Sequence, residues 1–312
     1  MAVRLADPDA LHLIRTLQSG QTFRWTWQAA GDGATLATGV LGHDVVRLRQ
    51  DGGGLWLLAP AARRAGVLRY LGLGGGPDTV RRVETKLAAD PVLARVLPST
   101  RGIAILAQDP WEVLVSFIIS ANNNIPKICR SIDRLARALG RPLGNGTYAF
   151  PTPDRLAGAH PRTLAACLLG YRAPYVRAAA RLVADGRVRL DALSRLPRDE
   201  ARECLLEIPG VGEKVADCVL LFGLGQLAAF PIDVWVQRAV ERLYFRGRRR
   251  RPHEIRSFAE ARFGALAGVA QQHLFCYARP RFGAAPSVRH RPAAVGLRWE
   301  RRRGRGETEA TV

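Results

Sequence analysis

The sequence lacks the cysteine pattern of a disulfide-rich or metal-binding protein. Its five cysteines are an odd number, and no two of them stand at the short spacing that metal ligands use. The six histidines are scattered as well. We therefore expect a reduced intracellular protein with no structural metal, no iron–sulfur cluster and no other cofactor.

Long apolar runs are also missing. No stretch approaches the roughly 20 apolar residues that a membrane-spanning helix needs. The N-terminal segment MAVRLADPDALHL contains acidic residues and has no signal-peptide core. These absences predict no membrane association and a location in the cytoplasm, near the nucleoid of a bacterium, or in the nucleus of a eukaryote.

Acidic residues are few relative to basic ones. The 312 residues include 27 aspartates and glutamates against 47 lysines and arginines, a formal net charge of +20. Such a charge favours a polyanionic partner. GC-rich codon usage, which also enriches Ala, Gly and Arg, explains the charge equally well when it is taken alone. The length permits two or more packed domains.

Hydrophobic periodicity divides the chain into regions. Residues 1–100 start with alternating patterns: QTFRWTWQ would place Phe23, Trp25 and Trp27 on one face of a strand, and HDVVRLRQDGGGLWLLAP predicts two strands and a turn. Residues 59–100 are expected to form helices and connecting loops. We expect an α+β fold in which this N-terminal antiparallel β-sheet domain (1–100) precedes an all-helical domain (101–285). The basic segment 286–312 has no periodicity, which predicts a disordered tail.

The segment LLEIPGVGEKVADCVLLF, residues 205–222, predicts a helix–hairpin–helix. Gly210 and Gly212 permit backbone conformations that other residues avoid, and they let a ligand approach closely. Backbone N–H groups around Gly210, Val211 and Gly212, at the start of the second helix, would form an anion site that suits a DNA phosphate. A plain turn between two helices is the alternative; the positive residue that follows the glycines favours DNA.

Two side chains near this hairpin could carry chemistry. Lys214 lies in the first turn of the second helix, where a neutral amine could attack C1′ of a deoxyribose and form a Schiff base. Asp233 follows 19 residues later at the N-cap of the next helix. Taken alone, a lysine is more often a surface charge and an N-cap aspartate is ordinary. Together with the hairpin, they would place a nucleophile and a carboxylate beside one sugar.

Five segments, in order, resemble those of the 8-oxoguanine DNA glycosylases, a family of the helix–hairpin–helix, Gly/Pro-Asp DNA glycosylase superfamily. A lysine at position 214 is typical of members that are also AP lyases. The match covers roughly residues 5–280. The segments are LQSGQTFRW (17–25), QDPWEVLVSFIISANNNI (108–125), LGYRAPYV (169–176), LEIPGVGEKVADCVLLFGLGQLAAFPIDVWVQR (206–238) and AQQHLF (270–275).

This resemblance implies a bifunctional enzyme that flips an oxidised guanine out of duplex DNA, because the glycosidic bond is unreachable inside the stack. It makes Lys214 the nucleophile and Asp233 the carboxylate that supports base departure. Four further residues are implied to hold the flipped base: the Gly20 carbonyl on the N7 hydrogen that guanine lacks, Phe275 and Cys218 on its two faces, and Gln271 on its Watson–Crick edge.

For the cytosine left behind, the resemblance implies contacts from Asn122 and Arg172, with Tyr171 as a wedge. Lys127 stands where animal and yeast members have an arginine. Because a lysine lacks the bidentate guanidinium fork, we expect looser selectivity for the opposite base. Trp235 replaces a histidine near the 5′ phosphate of the lesion and cannot carry its charge.

Three alternatives stay open. A glycosylase for other damaged purines, such as alkylated ones, has a similar sheet and hairpin but lacks the lysine. An adenine or oxidised-pyrimidine glycosylase usually carries four close cysteines after the aspartate, where only Cys276 follows. A non-catalytic helix–hairpin–helix protein would bind DNA without turnover. Our expectation is a monomer whose partner is double-stranded DNA containing oxidised guanine.

Overall fold

The computed structural model describes residues 2–282, so the predicted tail (286–312) lies outside the described residues. The strands are β1 Val3–Ala6, β2 Trp25–Ala29, β3 Thr35–Leu41, β4 Asp44–Asp51, β5 Gly54–Leu57, β6 Pro142–Gly144 and β7 Thr147–Tyr148. The helices are α1 Leu13–Gln18, α2 Arg64–Tyr70, α3 Thr79–Leu87, α4 Pro91–Thr100, α5 Pro110–Ser120, α6 Ile125–Leu139, α7 Pro153–Ala157, α8 Pro161–Ala166, α9 Ala173–Ala184, α10 Leu190–Leu193, α11 Arg198–Leu206, α12 Glu213–Phe222, α13 Val234–Tyr244, α14 Pro252–Phe263 and α15 Ala267–Arg281.

The first five strands form one antiparallel sheet in the order β1-β5-β4-β3-β2. Its apolar face follows from alternation along each strand; in β4, Val46 and Leu48 are buried while Arg47 between them is exposed. Gly39 pairs with Trp25, and a Cβ at Gly39 would lie 2.3 Å from the Trp25 ring. The indole therefore lies across the neighbouring strand and covers the core.

The prediction that Phe23 shares a strand face with Trp25 and Trp27 was wrong. β2 begins only at Trp25, which is buried, whereas Trp27 is 45% exposed. Phe23 precedes the strand and packs against Phe117 of α5, with ring centroids 5.6 Å apart. The reason is tertiary: the segment before β2 crosses to the helical region, and β2 is an edge strand whose end projects beyond the core.

Side chains from before and after residue 100 pack together in the same clusters. The core of the sheet continues into Leu71, Val80 and Leu106, whereas Leu93 of α4 packs in a separate cluster with Leu274 of α15. The helices before residue 100 are thus divided between the sheet and the helical region. This arrangement places α15 and the loop after α1 side by side.

The predicted helix–hairpin–helix consists of α11, residues 207–212 and α12. Gly210 has a φ of +85°, and a Cβ on it would lie 2.5 Å from the Cβ of Tyr175 in α9. Gly212 is the N-cap of α12, and no side chain caps the helix there. A glycine is required at 210 by both backbone and packing, whereas nothing lies within 4 Å of a Cβ at Gly212.

We expect Gly210→Ala to lower the free energy of unfolding by about 1–3 kcal/mol, because alanine would adopt a left-handed backbone and meet Tyr175. Gly212→Ser is the matched control, since the φ of −102° suits any residue, the space is open and serine is a favoured N-cap. Urea unfolding of both variants measures the difference. Equal losses for the two glycines would contradict this account of the hairpin.

Candidate active site

Lys214 lies in the first turn of α12 and reaches towards the end of α5. Its Nζ donates a hydrogen bond to Oγ of Ser120 at 3.0 Å and lies 4.8 Å from the centre of the Phe117 ring. The side chain is half-buried. These contacts hold the amine where α5 and α12 meet.

Lysine is rare in this chain, since only Lys86, Lys127 and Lys214 occur among 47 basic residues. A guanidinium group keeps its proton in proteins, whereas an amine can lose one and act as a nucleophile. A half-buried lysine in an arginine-rich chain therefore fits a role that arginine cannot perform.

Asp233 is the N-cap of α13, as the sequence predicts. Its Oδ1 accepts hydrogen bonds from the backbone N–H groups of Trp235 at 2.9 Å and Val236 at 2.8 Å. Burial raises the pKa of Asp233, and the Val236 N–H and the positive charge of Lys214 oppose that rise. The lysine and the carboxylate, which the sequence separates, thus interact electrostatically in the fold.

Cys218 lies one turn after Lys214 on α12 and is buried. Burial raises the pKa of its thiol to about 12; Lys214 opposes the shift, and the charges of Asp217 and Asp233 add to it. The thiol is therefore neutral near pH 7 and offers an uncharged, polarisable surface beside the lysine.

The adjoining face of α12 is fixed by ion pairs. Asp217 is buried and receives Arg202 of α11 at 3.0 Å and Arg256 of α14 at 3.3 Å. Arg256 also pairs with Glu213 at 3.1 Å. Because Asp217 is held against α11 and α14, the helix turns Lys214 towards α5.

Gly20 forms another wall of the site. It has a φ of +79°, and a Cβ on it would lie 3.3 Å from Cε1 of Phe275 and 3.4 Å from Cδ1 of Ile125. The structure therefore brings Gly20 against the half-buried ring of Phe275 in α15. A side chain at position 20 would be strained and would displace one of its neighbours.

Glutamine side chains hold the loop around Gly20. Nε2 of Gln272 donates to the Ser19 carbonyl at 2.7 Å, and Nε2 of Gln108 donates to the Gln21 carbonyl at 2.7 Å. The Gln21 amide is itself buried and donates to the Ala104 carbonyl at 2.8 Å. Among residues 2–282, no hydrogen bond uses the carbonyl of Gly20, which lies between two occupied ones.

Gln271 lies one helical turn before Phe275 on α15. Its side chain is 4% exposed, and its Oε1 is buried with no hydrogen-bond partner in the described part of the chain. A buried acceptor without a partner is costly in a folded protein. Such an atom is suited to receive an N–H group of a bound ligand.

The predicted opposite-base residues meet on a second surface. Asn122 has a φ of +48°, and its Nδ2 donates to the hydroxyl of Tyr171 at 3.3 Å. Arg172 donates to the carbonyls of Ala121 at 2.7 Å and Asn122 at 2.9 Å, and its guanidinium lies 4.4 Å from the centre of the Tyr171 ring. Arg172 thus supports this loop, while Tyr171 remains 55% exposed.

The remaining predicted contacts lie around these surfaces. Lys127 is exposed in the first turn of α6. In the hairpin, the N–H of Val211 donates to the Ile208 carbonyl at 3.0 Å and its side chain is buried, so that donor is occupied. The N–H groups of Gly210 and Gly212 have no backbone partner within residues 2–282, and they remain the donors that a phosphate would reach.

No group of three His, Cys, Asp or Glu side chains in residues 2–282 is arranged to hold a metal ion. In the same part of the chain, no helix is both long and apolar enough to cross a bilayer.

Two family models match the chain in succession. Residues 4–114 match the N-terminal domain of 8-oxoguanine DNA glycosylase, and residues 115–264 match the HhH-GPD superfamily of base excision DNA repair proteins. A probable N-glycosylase/DNA lyase of Methanothermobacter thermautotrophicus is 35% identical over 213 residues, which are 61% of this chain and 68% of that relative. The chain belongs to the 8-oxoguanine DNA glycosylase family. Its predicted family and fold class are thereby confirmed.

Other members of this glycosylase family show the same relationship. The N-glycosylase/DNA lyase of Saccharomyces cerevisiae is 33% identical over 274 residues, which are 76% of this chain and 69% of the yeast protein. The Clostridium acetobutylicum 8-oxoguanine glycosylase/lyase, solved with double-stranded DNA containing cytosine opposite 8-oxoguanine, is 34% identical with a TM-score of 0.80. That match covers 87% of this chain and 93% of the Clostridium chain.

Several residues that shape this glycosylase site were not identified from the sequence. Ser120 and Phe117 position the lysine, and Gln108 and Gln272 hold the Gly20 loop. Ser120 and Phe117 stand in an apolar helix, where nothing distinguishes them from core residues. The glutamine contacts join segments that are far apart in the chain, so no local pattern indicates them.

We expect Gln272→Met to lower the free energy of unfolding by about 1–3 kcal/mol, because it leaves the buried Ser19 carbonyl without its donor. Gln271→Met is the matched control on the same helix: its Oε1 has no partner in the described chain, so its removal should cost little. Urea unfolding compares the two variants. A larger loss for Gln271→Met would mean that its amide supports the fold.

Proposed function

We propose that this protein removes 8-oxoguanine from double-stranded DNA and then cleaves the strand at the abasic site, acting as a monomer. The observation that carries the proposal is the position of Lys214 beside Asp233 and Cys218, with its amine held on Ser120. Membership of the 8-oxoguanine DNA glycosylase family supports the same substrate and both activities.

Recognition of the damaged base depends on one hydrogen atom. 8-Oxoguanine carries a hydrogen on N7, where guanine has a lone pair. The Gly20 carbonyl, which no hydrogen bond occupies in the described chain, can accept from the former and repels the latter. Oε1 of Gln271 would accept from the Watson–Crick edge, and the ring of Phe275 and the neutral thiol of Cys218 would lie against the two faces of the base.

The chemistry follows from the lysine and the carboxylate. Nζ of Lys214 forms a bond to C1′ as the bond from C1′ to N9 breaks, and the base leaves with that electron pair and takes up a proton. The Asp233 carboxylate stabilises the positive charge that develops on the sugar. Opening of the C1′–O4′ bond gives an imine. Loss of a C2′ proton then expels the 3′ phosphate by β-elimination, and water releases the lysine.

The surfaces around the pocket suit a bent duplex. The free N–H groups of Gly210 and Gly212 would hold a phosphate of the damaged strand. Asn122 and Tyr171 would face the cytosine and the vacated position, and Arg172 would reach the cytosine only by exchanging a bond to the loop that it supports. A glycosylase without the lysine, or a protein that only binds DNA, leaves the juxtaposition of Lys214 and Asp233 without a purpose.

A covalent intermediate is the first expected result. With sodium borohydride and a duplex containing 8-oxoguanine opposite cytosine, the wild-type protein should form a stable protein–DNA adduct, because the imine to Lys214 is reduced to an amine. Lys214→Gln should form none. Lys86→Gln, in an exposed turn of α3, is the matched control and should trap as wild type does.

The other outcomes are distinct. Release of the base without trapping would keep the glycosylase and remove the lyase. Neither release nor trapping would reject 8-oxoguanine as the substrate. An adduct that persists in Lys214→Gln would place the nucleophile elsewhere, on another lysine or on the N-terminal amine.

The pH dependence of base release should follow the ionisation of Asp233. Only the ionised carboxylate stabilises a cationic sugar, so the single-turnover rate of base release should fall as the pH falls through the raised pKa of Asp233. That fall should occur at a higher pH than an exposed aspartate would give. Asp233→Asn keeps a good N-cap, but it should lower the rate by about 10²–10³ and abolish this acidic fall of the pH–rate profile. If the fall in rate at low pH persists in Asp233→Asn, it reports the titration of another group.

A further inference from the structure

Exposed apolar side chains are concentrated beside the opposite-base residues. Of seven large hydrophobic side chains that are exposed in residues 2–282, three belong to the segment 168–175: Leu168 at 48%, Tyr171 at 55% and Tyr175 at 38%. A soluble domain rarely groups such side chains unless a partner covers them. The resemblance assigns a wedge role to Tyr171 and leaves Leu168 without one.

Leu168 has an unusual backbone. Its φ is +60°, and the other non-glycine residues with positive φ in the described chain are Asn122, Asn145 and Arg246. Asparagine tolerates this region because its side chain bonds locally, whereas leucine gains nothing there. A strained residue that is half exposed indicates a function rather than a packing need.

The strained conformation of Leu168 is held from both sides. Its N–H donates to the Ala165 carbonyl at 3.1 Å, and its carbonyl accepts from Oγ of Ser131 in α6 at 3.3 Å. Ser131 lies one helical turn after Lys127. The backbone of Leu168 is therefore anchored to the helix whose first turn is expected to approach the opposite strand.

The exposed side chains of Leu168, Tyr171 and Tyr175, here called the ridge, belong to one segment between two sets of expected DNA contacts. At one end, Leu168 adjoins α6, and Tyr171 bonds Asn122 at 3.3 Å. At the other end, Tyr175 fills the notch at Gly210 of the hairpin. A duplex held at the hairpin and contacted by Asn122, as proposed above, would pass over this ridge.

We propose that Leu168 is a second apolar wedge, which enters the base stack next to Tyr171 when the duplex is bent. The proposal rests on the base-flipping function proposed above. Leucine is among the apolar residues that proteins insert between base steps to unstack them. Leu168 would hold the step open while the damaged base occupies the pocket, and its left-handed backbone keeps the side chain on the exposed ridge.

The test compares Leu168→Gly with wild type on two duplexes, both with 8-oxoguanine opposite cytosine. One is fully paired; the other has a mismatched pair next to the lesion, so that its stack is already weakened. The single-turnover rate of base release should fall about tenfold on the paired duplex, as expected for a lost unstacking contact, and change little on the mismatched one.

Two further variants separate a wedge from a structural role. Glycine and asparagine both accept a φ of +60°, so Leu168→Gly and Leu168→Asn should melt no lower than wild type and should share the selective loss. Leu227→Ala, an exposed leucine outside the ridge, should keep both rates. An unchanged rate on the paired duplex, or equal losses on both duplexes, would overturn the proposal. A wild-type protein that is inactive on both would instead overturn the proposed function.

Discussion

The buried ion pairs of Asp217 with Arg202 and Arg256 constrain the rest of the active site. They join α11, α12 and α14 through one carboxylate that has almost no contact with water. A buried charge of this kind is costly when either partner is lost, so the three helices keep one relative orientation. With Asp217 on that side, the next positions around α12 carry Lys214 and Cys218 towards α5. The orientation of Lys214, the proposed nucleophile, is thus set by ion pairs in which it takes no part.

The base pocket is built from segments that lie far apart in the sequence. The loop at Gly20 comes from the N-terminal region, whereas Phe275 and the glutamines come from the last described helix. Neutral amide hydrogen bonds connect these segments, and they occupy the carbonyls on either side of Gly20. The result, within the described residues, is a wall with one free acceptor, which suits the proposed discrimination between a donor and a lone pair at N7.

Arginine and lysine have different roles in this chain. Arginines carry nearly all of the positive charge, and they serve in ion pairs, stacking contacts and loop supports such as that of Arg172. Lysine occurs three times, and one copy, Lys214, is half-buried and bonded to Ser120. If position 214 needed only a positive charge, arginine would serve there as well. A lysine at this position therefore agrees with the proposed covalent role.

The sequence by itself determined the α+β class, the hairpin, the helix start at Asp233, and the family, because periodicity, capping and glycine spacing are local properties. It indicated Lys214 and Asp233 as a pair only through their spacing and the family pattern. Tertiary structure alone decided that Phe23 leaves the sheet, that α4 packs with α15, and that Ser120 holds the lysine. It also decided that the N–H of Val211 forms a hydrogen bond within the hairpin and that Leu168 has a strained backbone and an exposed side chain. These features arise from contacts between distant segments, and no local pattern of residues encodes the geometry of such contacts.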